Sequence, residues 1–214
     1  MSLSQYDRYR LLMDSRVVVI LRSVPPERVA PVVEALLDGG VTALEVTLNS
    51  DDALGQIRMA VEAAKGRALV GAGTVLDDSS AAAAILAGAN FLVAPNLNEA
   101  VIRTAHRYGR LAIPGAMTPT EIVAAAEAGA DIIKVFPAGS LGARYFKEIR
   151  GPLREYTFMA TGGISAANAA EFLKAGANLL GVGGAVVDTA LIAAGRYDEI
   201  RSRAAELVAQ VKSV

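Results

Sequence analysis

The sequence predicts an α/β fold: one domain over residues 1–214, built as a (β/α)8 barrel of the TIM type. Three observations predict it. Glycines recur at Gly40, Gly66, Gly88, Gly109, Gly129, Gly151 and Gly176, at intervals of 20 to 26 residues. Most follow an Ala/Glu/Leu-rich stretch of helical period and precede a short apolar run, so each interval reads as helix, glycine cap, strand. Seven such junctions separate eight strands, and 214 residues is near the small end of the usual barrel size of about 250. Strands alternating with helices would also suit an open doubly wound sheet. The even beat, with no break at mid-chain, favours the closed barrel.

The elements follow in order. Met1 to Ser15 is polar and forms a short helical segment ahead of the first strand. The eight strands are Val17–Arg22, Thr42–Leu48, Ala68–Ala72, Phe91–Ala94, Leu111–Ile113, Asp131–Phe136, Thr157–Ala160 and Leu179–Val182. Helices at 3.6-residue period lie between them, as over Asp77–Ala87 and Pro119–Ala128. Tyr197 to Val214 reads as a final amphipathic helix that closes the barrel or packs on a neighbour.

Composition narrows the function. Apolar residues make up 53% and charged residues 20%, with a net charge of -1 and no long basic run. Such a chain buries a core, and nucleic acid is not its expected partner. With no cysteine and a single histidine, His106, disulfides and cysteine- or histidine-based zinc sites are excluded. No metal and no cofactor is expected; a metal, if any, would be a hard ion held by carboxylates. His106 falls in a helix, away from strand ends, and reads as a surface or helix-terminal residue. The N-terminus lacks the apolar segment of a signal peptide, and Val17–Leu21 is too short to span a membrane. The expected location is the cytoplasm, without a membrane partner.

One strand carries the chemistry. Asp131-Ile132-Ile133-Lys134-Val135-Phe136-Pro137 is apolar enough to be buried, yet it holds a lysine. Lysine is almost never fully buried unless paired. Burial disfavours the ammonium and frees the lone pair to attack a carbonyl carbon. A second strand, Ala43-Leu44-Glu45-Val46-Thr47-Leu48, carries a lone carboxylate in the same setting. Amine and carboxylate are the parts of Schiff-base chemistry; they would equally make a structural ion pair closing one layer of a barrel core.

In these barrels chemistry sits at the C-terminal ends of the strands. Those positions hold Arg22; Glu45, Thr47 and Asn49; Gly73 and Thr74; Pro95; Lys134 and Phe136; Thr161, Gly162 and Gly163; Gly183 and Gly184. Alternation puts Lys134 with Phe136, and Glu45 with Thr47 and Asn49, on shared faces. The last two strands each end in a glycine pair. Loops after strands seven and eight commonly bind phosphate through backbone N–H groups, and glycine permits the close approach.

Taken together, Glu45-Val46-Thr47-Leu48, Gly71-Ala72-Gly73-Thr74-Val75, Pro114-Gly115, Thr118-Pro119-Thr120-Glu121, Lys134-Val135-Phe136-Pro137-Ala138, Gly151-Pro152 and Thr161-Gly162-Gly163-Ile164 resemble the class I 2-keto-3-deoxy-6-phosphogluconate aldolases. That group is shared with the 4-hydroxy-2-oxoglutarate aldolases. The likeness runs from about Val17 to Val187. It implies a small-molecule keto-acid substrate, a Schiff base on Lys134 and an acid/base role for Glu45. By the same resemblance Arg22 takes the substrate carboxylate, while Thr74 and Thr161 line the pyruvate end. Pro95 and Phe136 would wall the imine, with Thr47, Asn49 and Gly73 also on the substrate. Gly162, Gly163, Gly183 and Gly184 would hold the phosphate, and the family implies a homotrimer.

Three departures stand out. Asn49, followed by Ser50, replaces an arginine common in phosphogluconate members and is similar to the 6-phosphogalactonate branch. Ala160 stands where proline is common, and Ala185 where some members have serine. A phosphate-sugar epimerase or isomerase, a metal-dependent pyruvate aldolase and a non-catalytic sugar-acid-binding barrel are the competing readings. The phosphate loops do not separate the epimerase from the aldolase. Lys134 does, because epimerisation by proton abstraction needs no imine.

Overall fold

A computed structural model describes residues 3–214. Its nine parallel strands are β1 (Val17–Leu21), β2 (Ala43–Thr47), β3 (Leu69–Gly73), β4 (Phe91–Val93), β5 (Leu111–Ile113), β6 (Gly115–Ala116), β7 (Ile133–Val135), β8 (Phe158–Thr161) and β9 (Leu179–Val182). The helices are α1 (Gln5–Ser15), α2 (Val29–Asp38), α3 (Ala53–Ala64), α4 (Asp78–Leu86), α5 (Glu99–Arg107), α6 (Pro119–Glu127), α7 (Ala138–Arg150), α8 (Ala166–Lys174), α9 (Thr189–Ala193) and α10 (Tyr197–Lys212).

The strand order β5-β4-β3-β2-β1-β9-β8-β7-β6 is a ring written open at Pro114. β5 matches the fifth expected strand, and Pro114, with no N–H to donate, separates it from the short extension β6. The carbonyls continue across the break: Asp131 donates to Ala112 O at 3.0 Å, Lys134 to Pro114 O at 2.9 Å and Phe136 to Ala116 O at 3.1 Å. Counted this way, the barrel has the eight strands the sequence predicts. The extension Gly115–Ala116 was not among the expected strands. The strand expected over Asp131–Phe136 shortens to Ile133–Val135, because its ends bond across a stagger.

Every strand is buried on both faces, as parallel strands in a barrel must be. Alternation divides them. Val19, Leu44, Val46, Val70, Leu92, Val135, Leu180 and Val182 pack outward against the helices. Val18, Ala43, Leu69, Phe91, Leu111, Ile132, Met159 and Leu179 fill the interior. Leu12 of α1, fully buried, joins that interior cluster with Tyr9 and Met13 packed beside it, and Tyr9 Oη lies 3.0 Å from Thr157 Oγ1. The N-terminal helix therefore plugs the end of the barrel where the strands begin. Only the opposite end is left for a substrate.

Six of the seven periodic glycines have φ between 63° and 114°, as helix-terminating residues should. Gly151 is the exception: it caps α7 at φ -55°. The beat there marks a turn instead of a left-handed cap. His106 sits on α5, with Nε2 2.9 Å from Asp131 Oδ2, at the barrel end away from the glycine pairs.

Candidate active site

Toward the C-terminal strand ends, side-chain volume decides what fits in the interior. Glycines make the room. A Cβ at Gly71 would overlap the Phe91 ring, and one at Gly181 would overlap Thr161 and Met159. A Cβ at Gly73 would overlap the carboxylate of Glu45. Below this level the barrel is filled with apolar groups; at it the filling becomes polar.

Glu45 is 1% exposed and Lys134 4%. Their strands place both inward: Glu45 pairs in register with Ile20 and Gly71, Lys134 with Gly115 and Met159. Burial pushes the Glu45 carboxyl above the ordinary carboxylate range, against the opposing charges of Lys134 and Arg22. Burial likewise pushes the Lys134 amine below the ordinary lysine value; Glu45 opposes this and Arg22 adds to it. Burial thus works against the charged form of each group, while their mutual attraction works for it. The Lys134 Nζ stands 5.0 Å from the Phe136 ring centroid, so the wall next to the amine is aromatic. Glu45 Oε2 and Thr161 Oγ1 are buried with no hydrogen-bond partner. Buried polar atoms are normally satisfied; here Glu45 acts on the lysine and Thr161 lines the cavity above.

Above them opens a cavity of about 420 Å³ lined by Ile20, Arg22, Phe136, Thr161, Gly162, Gly163, Ile164, Ser165, Gly181, Gly183, Gly184 and Ala185. Gly162 and Gly163 adopt φ 94° and 72°, which a Cβ would strain. Their loop is pinned on two sides. Gly139 N–H donates to Gly162 O at 2.7 Å. Asn168 donates to Gly163 O at 2.9 Å and accepts from Ser165 N–H at 2.9 Å. Gly183 O receives Val186 and Val187 N–H at 2.9 and 3.0 Å. A larger cavity, about 490 Å³, lies at the plugged end; Lys134 and Glu45 line neither, and only the smaller one borders Phe136 and Thr161, their neighbours in the barrel.

Arg22, Phe136, Thr161 and the four paired glycines thus share one cavity, with Lys134 and Glu45 beneath it. Thr74, half-buried at φ 56°, and Pro95, half-buried against Gly115, end neighbouring strands without lining it. Asn49 is exposed and outside the lining. Thr47 is fully buried, its hydroxyl 3.1 Å from Ser50 Oγ and 3.5 Å from Leu21 O. Gly73 is present as empty volume for Glu45. Sequence reading missed Ile20, Ser165 and Gly181. Period-two counting back from Arg22 and Gly183 would have found Ile20 and Gly181, since both point the same way. Among the described residues no cluster of three or more His, Cys, Asp or Glu side chains could hold a metal, and no helix is long and apolar enough to cross a membrane.

Comparison with known proteins gives the same site a context. A family model described as KDPG and KHG aldolase matches residues 9–203. A probable 2-dehydro-3-deoxy-6-phosphogalactonate aldolase of Rhizobium meliloti is 37% identical over 203 residues, 94% of each chain. The KHG/KDPG aldolase of Escherichia coli K12 is 36% identical over 197 residues, 91% of each. The solved KDPG aldolase of Legionella pneumophila, with pyruvate captured as a covalent carbinolamine, superposes with a TM-score of 0.86 at 26% identity, covering 94% of this chain and 97% of that one.

Proposed function

The chain belongs to the KDPG and KHG aldolase family, and from that premise we propose that it is a class I aldolase cleaving 2-keto-3-deoxy-6-phosphogluconate to pyruvate and glyceraldehyde 3-phosphate. Cleavage of 4-hydroxy-2-oxoglutarate to pyruvate and glyoxylate would use the same residues. The observation that carries the reading is the buried pair of Lys134 and Glu45 inside the barrel, at the end where the cavity with Arg22 and Thr161 opens.

Neutral Lys134 attacks the C2 ketone to give a carbinolamine. Glu45 in its protonated form, the form that burial favours, donates its proton to the departing hydroxyl, and water leaves. The products are an iminium and a carboxylate, which now stabilise each other. The Glu45 carboxylate, acting through a water, takes the proton from the C4 hydroxyl. The C3–C4 bond breaks, its electrons pass into the iminium, and an aldehyde leaves. Protonation of the enamine at C3 and hydrolysis release pyruvate and the amine. Acid/base help of this kind contributes about 10²–10⁴-fold.

Arg22 holds the substrate carboxylate in forked geometry. Thr161, with its unpartnered hydroxyl, hydrogen-bonds the pyruvate end, with Thr74 and Pro95 near it. Phe136 keeps water from the imine. The backbone of Gly162, Gly163, Gly183 and Gly184 receives the phosphate, with Ser165 supplying the hydroxyl that Ala185 lacks. Asn49 in place of an arginine, and the similarity to a phosphogalactonate enzyme, support 2-keto-3-deoxy-6-phosphogalactonate as the second reading. A homotrimer in the cytoplasm fits the family, and Leu86, 77% exposed, with Leu76, 51% exposed, offers apolar surface for self-association.

The test is intact-mass spectrometry after pyruvate and borohydride, with peptide mapping. One reduced pyruvyl adduct on the peptide carrying Lys134 is expected, and none in Lys134→Ala. A folded protein that yields no adduct removes the imine mechanism.

A further inference from the structure

The loop that carries Arg22 is held from outside its own strand. Three backbone atoms around Arg22 are bound by side chains of the β2–α3 unit. Thr47 Oγ1 lies 3.5 Å from Leu21 O. Ser50 Oγ accepts from Ser23 N–H at 3.0 Å. Gln56 Nε2 donates to Val24 O at 2.9 Å and to Asp51 O at 2.7 Å. Thr47 and Ser50 join each other at 3.1 Å, and Gln56 holds the residue that follows Ser50. Thr47 and Gln56 are fully buried and Ser50 is 9% exposed.

The held segment is strained. Ser23 adopts φ 53°, a left-handed conformation that a non-glycine residue leaves unless its surroundings fix it. Arg22 itself is exposed and has no ion pair among the described residues, so its placement in the cavity depends largely on its backbone. Gln56 Oε1 is buried with no hydrogen-bond partner, so this polar group sits in an apolar interface at a cost. The bonds of Thr47, Ser50 and Gln56 converge on the one loop that bears the cavity's cation.

We propose that Ser50 is a positioning residue: through Ser23, and with Thr47 and Gln56, it fixes the backbone from which Arg22 reaches the substrate carboxylate. The inference rests on Arg22 holding that carboxylate. It predicts a carboxylate-specific defect, whereas a merely structural role would affect every ketone alike.

The experiment is cyanoborohydride trapping at Lys134 with two ketones, pyruvate and hydroxyacetone, which has no carboxylate. Ser50→Ala is expected to raise the half-saturating pyruvate concentration about two- to ten-fold, the size of one lost hydrogen bond, and to leave hydroxyacetone unchanged. Arg22→Gln is expected to raise the pyruvate value further, with Ser50→Ala adding nothing in that background, because residues acting through one contact are not additive. An equal rise for both ketones, or full additivity with Arg22→Gln, overturns the proposal. An unaltered pyruvate value in Arg22→Gln overturns the carboxylate assignment, and the proposal with it. Should Ser50→Ala not fold, Ser50→Cys, close in shape and weaker in hydrogen bonding, carries the same comparison.

Discussion

The carboxylate of Glu45 occupies the volume that a side chain on Gly73 would fill. The two residues face each other across the β2–β3 pair, where Thr47 is in register with Gly73 and Glu45 with Gly71. The acid can lie flat against the neighbouring strand only because that strand has no Cβ there.

Gly73→Ala should therefore displace the acid without touching the amine. Pyruvate trapping at Lys134 is expected to persist. Single-turnover cleavage is expected to slow by about 10²–10⁴-fold, the usual contribution of a positioned acid/base. Overpacking should also lower stability by about 1–3 kcal/mol, read from urea unfolding. Cleavage at the parent rate would show that the carboxylate does not work from this position.

Gly162→Ala meets both φ 94° and the Phe136 ring, 3.2 Å from the added carbon. The strain falls on the loop assigned to the phosphate. Steady-state KM for a phosphorylated keto acid should rise at least about ten-fold, the equivalent of about 1.4 kcal/mol. The KM for 4-hydroxy-2-oxoglutarate should change much less. Equal effects on both substrates would place the anion elsewhere.

The charges around Lys134 set the pH at which it can react. Trapping should rise with pH through a pKa below that of an ordinary lysine. Glu45 raises that pKa and Arg22 lowers it. Glu45→Gln should accordingly move the profile to lower pH and Arg22→Gln to higher pH, measured as cyanoborohydride trapping rates against pH. Shifts of the reverse sign would mean that the groups do not share one field.

The same burial makes the site a stability liability that depends on pH. The folded pKa of Glu45 is raised above its ordinary 4.5. Its favourable contribution is thus complete below pH 4.5 and lost as pH climbs through the folded pKa. Glu45→Gln should gain stability over the parent progressively above pH 4.5, followed by thermal melts across pH. The double variant Lys134→Met, Glu45→Gln removes both buried ionisable groups and should be more stable at pH 7 by about 1–4 kcal/mol. A less stable double variant would mean that the pair holds the barrel together.

The chain order of apolar runs and glycines by itself determined eight parallel strands, their helices, and the inward face of each strand. Those properties are local: a glycine ends a helix wherever it occurs, and alternation fixes direction within a strand. Lys134 and Glu45 were legible for the same reason, as charges where only apolar groups belong. Only the tertiary structure decided what lies next to what. Pro114 separates β5 from β6 yet leaves the ring closed, because the carbonyls around it find partners on β7 and the residues flanking it. Gly73 and Gly181 are vacancies for Glu45 and Thr161, visible only once strands are in register. Gln56 lies on the buried stripe Ala53, Ile57, Ala60 and Ala64, an anomaly the sequence displays, but the carbonyls it serves are on other elements. The clamp on Arg22 joins residues 21 to 24 with residues 47 to 56, and no local rule connects those segments. Hydrogen bonds between loops depend on distances set by the closed barrel, which no window of sequence contains.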